Sequence, residues 1–501
     1  MATIQKILAN SLKKLQKVTN NGIVTVVEAN QLSRIHLQRL VKNGFLKEVL
    51  KGWYILSDPS NNTSIVWFSS FWHFVAKYAN SRFGKNWCLS AEQSLSFYGG
   101  NKDVPYQVII RTLKSTNNTL ELLHNTSILY FKAQIASPLF QETDFALRLY
   151  SLSEALIKCR PEFFKKDPIT IRVCLSQIRD IENILKILVD KGHTMKAGRL
   201  AGAFRSIGYI DYADKIIKTM KSFGYNIKEE NPFNDVYKLS YSRSESPYCS
   251  RLKLTWGTMR KDVIKLFPTK KQKSAKIETC LKEIEAKYGM DAYNSLSIEG
   301  YKVSDELIEK VKSGKWNPDG NILDAKLQDT MAARGYWQCF QSVKKSASKV
   351  LRGENSGYIA NKDHQTWYKE LFSPSVSAGL LKPSDLIGYR THQVYIRSSM
   401  HTPLNLQAVR ETIPVFFDLL KNEPSAEVRS VLGHFFFVYI HPYMDGNGRM
   451  ARFLMNIMLI SGGYSWVIIP VGRRNEYIQA LEKASVECDI KGFTKFIVSL
   501  I

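Results

Sequence analysis

Between two apolar stretches lies HPYMDGNGRMAR, His441 to Arg452, in which each polar residue type has a use if the ligand is a nucleotide. Gly446 and Gly448 let the backbone turn tightly and approach phosphate closely, and the amides beside Asn447 form an anion-binding nest. A helix expected after the loop points its N-terminus, the positive end of its dipole, at the same place. Asp445 offers a hard carboxylate oxygen to Mg²⁺, which commonly takes only one or two protein ligands beside phosphates and water. Arg449 and Arg452 are three apart, so both leave one helix face and can grip separate phosphates. His441 ends the preceding helix, which Pro442 prevents from continuing. A histidine, titrating ordinarily near about 6.5, can take a proton from an attacking hydroxyl at neutral pH. Singly, such a histidine is more often a cap, and Asp-Gly or Asn-Gly is most often a turn. Their joint occurrence points to chemistry.

The segment resembles the signature of the Fic family, HPFx(D/E)GNGRxxR, with Tyr443 in place of the usual phenylalanine. The similarity runs over about residues 255–501. It implies a protein adenylyltransferase that moves AMP from ATP, with Mg²⁺, onto a Ser, Thr or Tyr hydroxyl of a target protein, itself included. By that resemblance His441 deprotonates the hydroxyl and Asp445 holds Mg²⁺ between the α- and β-phosphates. Gly446, Asn447 and Gly448 cradle the phosphates, while Arg449 and Arg452 bind the outer ones. Retention of GNGR implies AMP as the transferred group. Further upstream, NSLSIEGYKVS places Ser295, Glu299 and Gly300 in a pattern resembling the family's inhibitory motif, (S/T)xxxE(G/N). Glu299 would then pair with Arg452 and occupy the group that the γ-phosphate needs. The resemblance also implies a hairpin flap over Leu386–Pro403 that pairs with an extended target segment, and a base contact from Tyr477. Ile478 and Ser485 stand where tyrosine and asparagine are frequent.

Elements able to position these groups follow from periodicity and stop signals. Helices are expected over Asp262–Leu266, Ala275–Tyr288, Asp305–Ser313, Leu327–Ser346, Leu406–Lys421 and Ala426–Ile440. Beyond the loop come Gly448–Ile460, stopped by Gly462 and Gly463, then Asn475–Glu487 and Ile490–Leu500. The fold class is therefore multidomain and mainly α. A C-terminal all-α domain with its small hairpin flap covers 236–501, and an α+β middle domain with its linker covers 61–235.

Residues 1–60 read differently. Ile4, Ile7, Leu8, Leu12 and Leu15 mark one face of a first helix, Val24–Asn30 a short second one, and Arg34–Asn43 a third that Ser33 caps. There Leu37, Leu40 and Val41 share the buried side, and Arg34, Gln38, Arg39 and Lys42 face outward. FLKEVLKGWYIL then makes two strands turning at Lys51-Gly52. This order is that of a winged helix-turn-helix, and its 9 basic against 3 acidic side chains suit a phosphate-facing module. LSRIHLQRLVKNGFLKEVLKGWYIL and AGRLAGAFRSIGYIDYADKI resemble the AbiEi-type antitoxin-like regulators, which implies a defence role for the N-terminal half.

The net charge of +25 is unevenly spread: residues 401–501 carry 10 basic and 9 acidic side chains, leaving +24 to residues 1–400. A neutral catalytic end with a basic remainder predicts DNA as an N-terminal partner. The alternative reading is therefore a DNA-binding regulator in which the catalytic domain is secondary. Seven scattered cysteines with no CxxC pair argue against a disulfide framework and a zinc site. With no apolar run long enough to span a bilayer, the expectation is a cytoplasmic protein with no membrane partner, and a homo-oligomer is allowed.

Overall fold

The computed structural model describes residues 4–20, 25–59, 63–115, 117–135, 139–142, 144–233, 245–267, 276–314 and 328–501. Two compact units result: 1–251 together with 395–402, and 252–394 together with 403–501. Among the described residues helices dominate, and the three sheets lie in the first unit.

The first unit begins with helix α1 (Ile4–Val18), strand β1 (Val26–Glu28), helix α2 (Arg34–Lys42) and strands β2 (Leu46–Leu50) and β3 (Trp53–Leu56). The three strands form an antiparallel sheet in the order β1-β3-β2, with Ile55 opposite both Val26 and Lys47. The short helix expected over 24–30 is thus a strand and one 3-10 turn, Ala29–Gln31, with Val24 outside the described residues. β-branched Val26 and Val27 are buried in the sheet, which outweighs local helical spacing. Leu15, Leu37, Leu40 and Leu46 close the small core beneath.

Beyond it, a four-stranded sheet pairs Gln107–Thr112 in parallel with Ser127–Lys132, flanked by Cys88–Leu89 and Thr119–Glu121. Helices between Leu152 and Ser222 pack over a second core. Within Thr194–Ser206, a Cβ on Gly198 or Gly202 would lie 2.0 or 2.1 Å from the carbonyl oxygen of Lys228 or Glu230. Only glycine lets the 228–230 backbone lie so close to that helix.

In the second unit, Ala426–Ile440 forms as expected, and the helix after the loop runs Asn447–Ser461. A 22-residue helix over Ser356–Ser377, unread in the sequence, packs along Gln328–Leu351. Its polar and aromatic residues blur the apolar stripe, so periodicity gives little signal there. The hairpin flap is not formed: residues 387–405 contain no strand. Their middle, 395–402, belongs to the first unit, where the Met400 carbonyl accepts from Val104 N and Asp103 accepts from the Thr402 amide. Backbone groups engaged there are withdrawn from a local hairpin.

Candidate active site

The helix Ala426–Ile440 ends because His441 adopts a left-handed conformation (φ 54°, ψ 61°), which turns the chain before Pro442. His441 Nδ1 lies 3.0 Å from the Val438 carbonyl oxygen. A carbonyl can only accept, so in the neutral ring Nδ1 carries the hydrogen and Nε2 carries the lone pair. This is the tautomer a general base needs.

Loop shape is held by residues on both sides. Arg390, 2% exposed, donates from Nε to the His441 carbonyl at 2.8 Å and from its amide to the Pro442 carbonyl at 2.9 Å. Tyr443 is buried and stacks on Tyr368 with centroids 3.7 Å apart. Asn447 turns its side chain inward, accepting from Tyr443 N at 2.9 Å and donating to Tyr443 O at 2.8 Å. Its side chain braces the loop. Gly446 has φ 79°, and a Cβ there would lie 2.8 Å from the Phe372 ring.

Asp445 is largely exposed and accepts from Gly446 N and from Arg449 Nη2, the latter at 3.1 Å. Arg449 is 1% exposed, with its guanidinium 5.1 Å from the Tyr301 ring centroid and 5.0 Å from that of Phe372. Burial pulls its pKa down, but Asp445, Tyr301 and Glu299 more than offset this, so it stays cationic. A cavity of about 890 Å³ opens beside this pair, lined also by Tyr301, Tyr368, Phe372 and Met444. Its volume suits a nucleotide-sized ligand or a target side chain.

Arg452 leaves the same helix toward Tyr288–Ile298, the helix of the inhibitory-type motif. It donates from Nε to Ser295 Oγ at 2.7 Å, and from Nη2 to Glu299 Oε1 at 2.6 Å and Ser295 O at 3.1 Å. Burial lowers its pKa, but Glu299 more than restores the charged form. Gly300 (φ 93°) ends that helix in a Schellman-type turn, with Tyr301 N donating to Leu296 O, and so leaves Glu299 at the helix end.

Other expected residues are placed differently. Tyr477 is 2% exposed, and its hydroxyl lies 2.9 Å from His434 Nε2. Burial and the nearby Arg452 charge push His434 down to about 3, so it is neutral. On α2, Arg34, Gln38 and Lys42 are exposed, whereas Arg39 donates to Ser11 Oγ on α1 at 2.9 Å. Val41, expected inside, is 37% exposed, and the buried residues of α2 are Leu37 and Leu40. Arg390, Tyr301 and Tyr368 escaped the sequence reading, since each acts through distant packing and lies in no spaced pattern.

Residues 359–459 match the Fic/DOC family, so the loop lies in a Fic/DOC domain together with the helices Leu406–Asn422 and Ala426–Ile440 and most of Ser356–Ser377 and Asn447–Ser461. Among the relatives, protein adenylyltransferase Fic of Drosophila willistoni is 39% identical over 113 residues, 22% of this chain and 22% of its own. Protein adenylyltransferase Fic of Drosophila mojavensis is 29% identical over 214 residues, 42% of this chain and 39% of its own. The chain thus spans well under half the length of these relatives. A solved structure of Fic-1 from Caenorhabditis elegans aligns over 70% of this chain and 88% of its own, with 18% identity and a TM-score of 0.36. No helix among the described residues is long and apolar enough to cross a membrane.

Proposed function

We propose that this protein is an ATP-dependent protein adenylyltransferase restrained by its own Glu299. The observation carrying the reading is the His441 tautomer, which presents Nε2 as a base beside a glycine-lined helix N-terminus. The hydroxyl oxygen of a Ser, Thr or Tyr side chain attacks the α-phosphorus while its proton passes to His441 Nε2. The bond from the α-phosphorus to the α,β-bridging oxygen breaks, and pyrophosphate leaves. Amides of Gly446 to Gly448 and the helix dipole stabilise the phosphate charge, with Arg449 and Arg452 on the outer phosphates. The exposed Asp445 carboxylate suits Mg²⁺, a hard cation that would neutralise phosphate charge when bound.

The Glu299 ion pair supports the restraint. It occupies Arg452 and lies against Gly448, where a Cβ would meet Oε1 at 2.4 Å, so the carboxylate fills space that a phosphate would enter.

Transfer of label from α-³²P-ATP with Mg²⁺ into protein tests the reading. Glu299→Gly should label protein and Glu299→Gly/His441→Ala should not; absence of label in every form, with cell lysate added, would refute it. A second activity, DNA binding by a winged-helix module at 1–60, is favoured by the exposed basic residues of α2 beside a three-stranded sheet.

A further inference from the structure

The helix Tyr288–Ile298 carries a third polar residue in line with Ser295 and Glu299. Asp291, Ser295 and Glu299 are spaced by four, so they share one stripe. Asp291 is 3% exposed, and its Oδ2 accepts from the Tyr336 hydroxyl at 2.9 Å. Tyr336, on the Gln328–Leu351 helix, is fully buried and also interacts with Ser295. Ser295 Oγ in turn accepts from Arg452 Nε at 2.7 Å.

Donor chemistry gives this chain one direction. A guanidinium can only donate, so Ser295 Oγ must accept from Arg452 and its own hydrogen is left to face Tyr336 Oη. Tyr336 then spends its hydrogen on Asp291, the one member that can terminate the chain as a pure acceptor. Burying a carboxylate is costly unless something offsets it, and here burial pushes Asp291 up to about 6, against the pull of Tyr336 and Arg452. The Glu299 end is different: its side chain is 29% exposed and can rotate into solvent.

We propose that Asp291 is a positioning residue which, through Tyr336 and Ser295, keeps the Arg452 guanidinium aligned for the outer phosphates of ATP once Glu299 has swung away. The brake and the cradle thus share one helix but use separate contacts. Glu299 blocks Arg452 from the open side; Asp291 orders it from the buried side. Release then needs a side-chain rotation while the helix stays docked, because departure of the helix would also remove Ser295 from Arg452.

This inference rests on the adenylyltransferase reading, and the test separates the two. Mg-ATP affinity is measured by calorimetry on the full chain, together with KM for ATP and the transfer rate, all in the Glu299→Gly background. Asp291→Asn and Tyr336→Phe are each expected to weaken ATP binding and raise KM roughly tenfold, the scale on which outer partners of a binding side chain act. The rate at saturating ATP should change much less, and loss of folding is not expected from either near-isosteric change. A role in packing alone predicts the opposite: lower stability with ATP affinity retained. ATP affinity within twofold of the background in both variants would overturn the proposal while leaving the enzyme reading intact. If Glu299→Gly itself neither binds ATP nor transfers AMP, both fall together.

Discussion

Glu299 Oε1 lies 2.6 Å from Arg452 Nη2 while pressing on Gly448, so one carboxylate occupies both a cation and the start of the Asn447–Ser461 helix. Arg452 is nearly fully buried and Glu299 is not. A charge-assisted bond of this kind is strong, and losing it exposes the cation to whatever anion arrives next. Glu299→Gly is therefore expected to raise AMP transfer by tenfold or more, about 1.4 kcal/mol of relieved competition. Glu299→Gln, keeping shape without charge, should fall between it and the wild type. Label incorporation measures both.

His441→Ala in the Glu299→Gly background should lower transfer by at least about 100-fold, the usual contribution of a positioned base. Mg-ATP affinity, read by calorimetry, should remain, since His441 contributes a lone pair to the hydroxyl and no charge to the phosphates. A parallel loss of binding would mean that His441 holds the loop shape instead.

Gly446→Ala tests the loop itself. The residue has φ 79°, and an added methyl would come within 2.8 Å of Phe372. Left-handed backbone strain and overpacking each cost on the order of 1 kcal/mol or more. A fall in the urea midpoint worth about 2–3 kcal/mol is expected, with activity lost in the folded remainder.

The buried acid behind Arg452 gives a pH signature. Burial raises the folded-state pKa of Asp291 to about 6. A raised acid favours folding when protonated, so its contribution is complete below the unfolded value near 4 and is lost as pH climbs through 6. At pH 7.5 the ionised carboxylate should therefore cost the fold up to roughly 3 kcal/mol. Asp291→Asn should raise the urea midpoint at pH 7.5 and leave it nearly unchanged at pH 4. His434, held down to about 3 by burial and Arg452, slopes the opposite way over an overlapping range, so wild-type curves alone cannot resolve either group. The difference between variant and wild type isolates Asp291.

For the N-terminal surface, Arg34→Ala and Lys42→Ala should each weaken DNA binding and reduce the salt slope by about one. Arg39→Ala should chiefly loosen α1 from α2, because its guanidinium is spent on Ser11. Salt titration by fluorescence anisotropy, beside thermal unfolding, separates the two effects.

What the sequence determined by itself was local. HPYMDGNGRMAR was legible because each of its features depends on neighbours within a few residues: a helix stop, a glycine turn, a helix start and arginines one turn apart. The Ala426–Ile440 helix was legible to the residue for the same reason, with His441-Pro442 as its stop. Ser295-to-Glu299 spacing was legible as a motif, while the partner of Glu299 followed only from a family resemblance. Other assignments depended on distant chain. Val26–Glu28 became a strand because β3, almost thirty residues on, offered it an edge. The hairpin expected near 394 was lost because residues 395–402 bond elsewhere. Arg390, Tyr301 and Tyr368 meet the loop across gaps of tens to more than a hundred residues, and Asp291 bonds to Tyr336 45 residues away. Hydrogen bonds and ring stacking act over a few ångströms of space, and spacing along a chain encodes such proximity only within one helix or turn. Tertiary packing alone decided which buried donor faced which acceptor.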